Sequence, residues 1–205
     1  MPLQNRVLPD GSIVAHPGRG LLTGNRGILH DGTRTLGNRR WTSALWIACA
    51  LEFKGWKRVP MTPGRWTELF FLDEAVAFSA GHRPCAVCRR ADYNRFRAAW
   101  AVADLPEVKR ASDVDRVLHE ARLTSDRKAQ RRHVAEMVSL PDGAFIEGPK
   151  GVPCLLHKGA LRPYTPGGYL APLPLPVGPV TVLTPEPMVR VLRASYAPML
   201  HPTAS

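Results

Sequence analysis

Ala80-Gly81-His82-Arg83-Pro84-Cys85-Ala86-Val87-Cys88-Arg89-Arg90 sets two of the chain's four cysteines one helical turn apart in a strongly basic surround. A Cys-x-x-Cys turn projects both sulfurs to one side, where each can reach a single tetrahedral ion at about 2.3 Å. The pattern is half of a zinc site, and the remaining ligands must come from elsewhere in the chain. A redox dithiol is the competing reading. Thioredoxin-like sites follow a strand in a βαβ unit, whereas this turn follows a predicted helix and a glycine.

Upstream of the turn, Asp73 to Phe78 reads as a short Ala-rich helix whose two acids suit the positive end of the helix dipole, and Gly81 stops it. Trp41 to Phe53 reads as a strand. Its Leu45, Ile47, Cys49, Leu51 and Phe53 share one face at period two, which points Cys49 inward. Downstream, residues 91–103 are helical in pattern, and Tyr93, Phe96 and Trp100 form one stripe that suits a core better than a base-stacking platform. Ser112-Asp113-Val114-Asp115 opens another helix with a cap and an acidic first turn; Val114, Val117, Leu118 and Ala121 are its buried side. That helix can continue to Val138, before Pro141-Asp142-Gly143 breaks it. Beyond, apolar runs at 144–146, 152–156 and 180–183 alternate with turns and read as a small β unit. Thr184 then caps a last helix with Pro185 at its first position.

At 205 residues the chain can bury a real core, and 20 Pro with 17 Gly predict many turns and short elements, which argues against a helical bundle. The expected class is α+β: an irregular segment over 1–19, short strands and helices over 20–104, and a mixed helix/β unit over 105–205. A net charge of +11 favours polyanionic partners, nucleic acid before membrane. No run approaches the roughly 20 apolar residues of a membrane span, and Met1 to Arg6 lacks the apolar stretch of a secretory signal, so a cytoplasmic address is expected. In that reducing compartment a Cys-x-x-Cys signals metal or redox chemistry more than a covalent staple.

Phe70-Phe71, Asp73-Glu74-Ala75 and Gly81-His82-Arg83-Pro84-Cys85-x-x-Cys88-Arg89 together resemble the zinc-binding module of the Ada DNA-repair family. A looser form of that module, found in some nucleases and DNA-uptake proteins, begins with Gly-Asn, a short strand and a His. Here these positions are Gly24-Asn25, Ile28-Leu29 and His30. The resemblance implies a zinc-binding module over 20–104 and a DNA-linked setting, which favours DNA before RNA as partner. The module's next cysteine is missing from Thr33-Arg34-Thr35, so methyl transfer to a zinc thiolate carries over poorly.

A structural zinc site needs four donors, and the expected set is His30, Cys49, Cys85 and Cys88. Cys154 and His82 are the alternatives, although Cys154 lies in an apolar strand pattern and His82 stands where the module has a packed aromatic. Arg83, Arg89, Arg90, Arg95 and Arg97 cluster around the turn and the next helix and are the candidate phosphate contacts. An enzymatic alternative, a nucleic-acid hydrolase or other metal-assisted enzyme, would use Asp115, His119 and Glu120, since Asp115 and His119 share a helix face at i and i+4. The zinc-protease motif is absent, because its second His would fall at Leu123.

Overall fold

The computed structural model describes residues 1–56 and 59–205. It is an α+β fold of two six-stranded sheets and four helices. The first sheet contains β1 (Gln4–Val7), β2 (Ile13–Ala15), β3 (Leu22–Asn25), β4 (Ile47–Ala50), β5 (Leu69–Phe71) and β6 (Arg83–Pro84), in the order β2-β1-β5-β3-β4-β6. Its β1–β5 and β4–β6 pairs are parallel and the others antiparallel. The 1–19 segment, expected to be irregular, therefore supplies two strands, and Val7 and Ile13 enter the core.

Helix α1 (Glu74–Ser79) follows β5, α2 (Arg90–Val102) follows the cysteine turn, and α3 (Ala111–Arg122) comes next. The second sheet is antiparallel, with β7 (His133–Glu136), β8 (Phe145–Glu147), β9 (Pro153–His157), β10 (Ala160–Thr165), β11 (Gly168–Tyr169) and β12 (Pro179–Val182) in the order β11-β10-β9-β8-β12-β7. Helix α4 (Glu186–Arg193) precedes a C-terminal segment that returns to α1.

The cores cross the expected boundary at residue 104. One joins Leu22, Phe71 and Val76 to Phe145, Leu155 and Tyr169. Another joins Phe78, Phe96 and Trp100 to Val114, Leu118, Met188 and Tyr196. Tyr93, Phe96 and Trp100 are all buried, so the aromatic stripe of α2 is core. Fully burying such a side chain contributes about 1.5–3 kcal/mol, which is what fixes α2 against α3 and α4.

Several boundaries differ from the sequence expectation. α3 stops at Arg122, where Thr124 and Asp126 close a turn before β7. Asp113, not Ser112, serves its N-terminus, accepting from the Lys109 and Arg110 N–H groups. Thr184 does not cap α4; its hydroxyl accepts the Phe145 N–H and joins the helix start to β8.

The acids of α1 do more than face a dipole. Asp73 accepts the Val76 N–H as an N-cap, and its other oxygen accepts from the Tyr169 hydroxyl at 2.7 Å and the His201 N–H at 3.0 Å. Glu74, fully buried, accepts from Arg89, the Tyr196 hydroxyl and the Met199 N–H. Gly81 then takes φ +81°, and a Cβ there would stand 2.7 Å from Arg122 Cδ, so both the turn and the packing require glycine.

Candidate metal centre

Register builds the centre. β6 runs parallel to β4 with Ile47 beside Arg83 and Ala48 beside Pro84. The next residues along are Cys49 and Cys85, and the Cys85 N–H donates to the Ala48 carbonyl at 2.9 Å. The Cys85–Cys88 turn then folds back, with the Val87 N–H 3.4 Å from Cys85 Sγ and the Arg89 N–H donating to the Cys85 carbonyl. As a result, the sulfurs of Cys49, Cys85 and Cys88 lie within 4.8 Å of one another. Tetrahedral thiolates at about 2.3 Å from zinc stand about 3.8 Å apart, so a small contraction accommodates the ion.

Hydrogen bonds among the three thiols shift them in opposite directions. A hydrogen bond from Cys49 is the main cause that lowers Cys85 to about 4, aided by the Cys88 and Val87 N–H groups. Cys88 is lowered by the same donor and by the Ala50 N–H. Cys49, flanked by both, is raised and holds its proton last. A metal ion bound by all three sulfurs would have to displace that proton.

The face of β4 is reversed from the expectation. Trp46 and Ala48 point into the core, whereas Ile47 and Cys49 are half-buried on the other side, and Leu45 and Leu51 are each 49 % exposed. All three cysteines line a cavity of about 370 Å³, walled by Phe53, Trp56, Trp66 and Phe70, with Thr23, Asn25 and Glu68 among its polar lining. The period-two stripe thus marks the wall of this cavity instead of the core.

His30 is outside the centre and is corrected as a ligand. Its Nδ1 is 2.7 Å from the Thr67 hydroxyl and its Nε2 is 3.2 Å from the Thr62 carbonyl, which uses both ring nitrogens. Among the described residues the cluster contains cysteines only. Cys154 is buried in the second sheet, and His82 stands edge-on to Phe71 and tilted against Trp46. Neither joins the cluster.

The arginines divide. Arg83 is buried and makes two hydrogen bonds to Asp115, at 2.8 and 2.7 Å. Arg89 is buried between Glu74 and Asp92. These two are scaffold that holds the turn and are corrected as phosphate contacts, because a buried, paired guanidinium has no free face for a polyanion. Arg97 donates to the Val108 carbonyl, Arg95 is exposed but bonded to Asp92, and Arg90 is exposed.

Asp115, His119 and Glu120 have separate surroundings. Asp115 is taken by Arg83, Glu120 is exposed, and His119 Nδ1 accepts from Arg122 at 2.8 Å while its ring stands edge-on to Trp41. Burial, followed by the Arg122 charge, lowers His119 to about 4, and burial lowers the fully buried His82 well below its ordinary value. Both are neutral in the fold, so protonation favours unfolding. Their stability contribution is complete above about pH 6.5 and declines as pH falls towards the folded-state values. Melting temperature should drop from about pH 6.5 to 4, less steeply in His119→Gln. Parallel pH profiles for the two proteins would contradict this account of His119.

Comparison with protein-family models, curated proteins and solved structures finds no match to this chain. The fold and the centre define an α+β protein with a three-cysteine cluster able to hold a metal ion. Among the described residues, no helix is long and apolar enough to cross a membrane.

Proposed function

We propose that the protein binds zinc through Cys49, Cys85 and Cys88 and engages nucleic acid, DNA before RNA, through the phosphate backbone. The observation that carries this reading is the convergence of three thiols from β4 and the turn after β6. Soft thiolate donors in near-tetrahedral reach suit zinc better than the hard cations, which take oxygen ligands. The Ada-like motif supports the same ion. Three protein thiolates leave one tetrahedral position for a ligand from outside the cluster, and the cysteines border the apolar cavity. The zinc's structural role is to tie β4 to the turn.

Nucleic-acid binding rests on the net charge of +11 and on exposed arginine beside the centre. Arg90 replaces the Arg83 and Arg89 contacts in this reading, because it is exposed at the start of α2. Affinity for oligonucleotides should fall steeply with salt, and Arg90→Ala should reduce the salt slope by about one unit without changing zinc content. Fluorescence anisotropy at low salt tests this; no binding to DNA or RNA rejects the nucleic-acid half, while zinc analysis tests the other half separately.

A further inference from the structure

Away from the cysteines, two arginines are buried without an acidic partner. Arg26 directly follows β3, is 2 % exposed and donates only to neutral acceptors: the Gly11 carbonyl at 3.0 Å, the Ala80 carbonyl at 3.5 Å and His82 Nε2 at 3.3 Å. Arg122 is fully buried and donates to the Gly81 and Ala44 carbonyls and to His119, with Nε unpartnered. Both guanidinium carbons stand over the Trp46 ring, at 4.1 and 3.9 Å. Among the described residues neither has a carboxylate oxygen within 4.0 Å. Burial pushes both below the ordinary guanidinium range; Asp10 opposes the shift at Arg26, and at Arg122 the Arg26 charge adds to it while Asp115 opposes it. A buried cation in such surroundings is costly, and an anion brought to it offsets that cost.

The opening for one is beside Arg26. A cavity of about 430 Å³ has Arg26 on its wall together with Arg40, Arg127, Lys128 and Arg132. Among the described residues Asp10 is the one acid on that wall, and its Oδ1 already accepts from the Ser12 N–H and hydroxyl. Arg132 is held by Glu147, but Arg40, Arg127 and Lys128 have no carboxylate partner among the described residues. This cavity shares no lining residue with the one at the cysteines.

We propose that this cavity binds a phosphate group in its dianionic form. Such a group carries about −1.5 to −2 charge and three acceptor oxygens, which matches a wall that carries four arginines and a lysine against one acid. Free phosphate and the terminal phosphate of a nucleic acid present the same chemistry. The proposal does not depend on zinc.

The test uses the full-length protein as purified, with Trp41 and Trp46 on the cavity wall as fluorescent reporters. Inorganic phosphate should raise the melting temperature and change the fluorescence more than chloride at equal ionic strength. Arg127→Ala with Lys128→Ala, both exposed positions, should weaken phosphate binding by about tenfold and leave zinc content and the melting temperature in chloride unchanged. A 5′-phosphorylated trinucleotide binding tighter than inorganic phosphate assigns nucleic-acid ends as the source, and one binding no tighter assigns free phosphate. No response beyond the chloride control, or an unchanged response in the double variant, overturns the proposal.

Discussion

Asp115→Ala should destabilise the protein by about 3–5 kcal/mol, the range for removing one partner of a buried ion pair. The carboxylate takes two hydrogen bonds from Arg83, and the two side chains are 2 % and 5 % exposed. Burial raises the Asp115 carboxyl, and Arg83 opposes that rise, so the pair is held by its geometry against a desolvation cost. Without Asp115, a guanidinium remains buried on β6, separated from Cys85 only by Pro84. The loss should be largely recovered in Asp115→Leu combined with Arg83→Met, because replacing both members by apolar groups removes the stranded charge. Urea unfolding gives both values. A cost below about 1 kcal/mol for Asp115→Ala would show that the pair is not a support of the turn.

Cys85→Ser should take the zinc content from about one ion per chain to near none, and Cys88→Ser and Cys49→Ala should each weaken retention strongly. Serine keeps the size of the side chain but replaces a soft thiolate by a hydroxyl that stays protonated. The variants should melt at lower temperature, yet remain folded, since the three cores are built without the centre. Cys154→Ala is the control: that thiol is buried among Ile146, Leu156 and Val182, and zinc content should not change. Metal analysis after gel filtration reads all four. Zinc retained in Cys49→Ala, or lost in Cys154→Ala, would contradict the ligand assignment.

The elements with strong local signals were legible in the sequence. The acidic start of α1, the glycine after it, the aromatic stripe of α2 and the strands near residues 145, 155 and 180 all stand where patterning places them. Patterning could not say which face of β4 meets the core. A period of two defines two faces, and the one bearing Leu45, Ile47 and Cys49 borders a cavity while Trp46 and Ala48 pack inward. Cys49 nevertheless reaches the centre, because the parallel β4–β6 register brings it beside Cys85, and nothing local in sequence encodes that pairing.

The arginines and His30 show a second limit. Counting charge near the turn gives a basic cluster, but Arg83 finds its acid 32 residues away and Arg89 finds one 15 residues away. Tertiary pairing converts both from surface to scaffold. His30 fits the Gly-Asn, strand, His order of the resembled module, yet Thr67 and Thr62 claim its ring. Arg26, the most buried cation at the phosphate cavity, lies between Asn25 and Gly27 with no periodic signal to mark it as interior.

X-ray absorption at the zinc edge of the purified protein tests the central claim most directly, because it reports both the presence of the ion and the number of sulfurs around it. Three sulfur ligands at about 2.3 Å with one lighter ligand are expected. Four sulfurs, fewer than three, or no zinc edge at all would contradict a centre made by Cys49, Cys85 and Cys88.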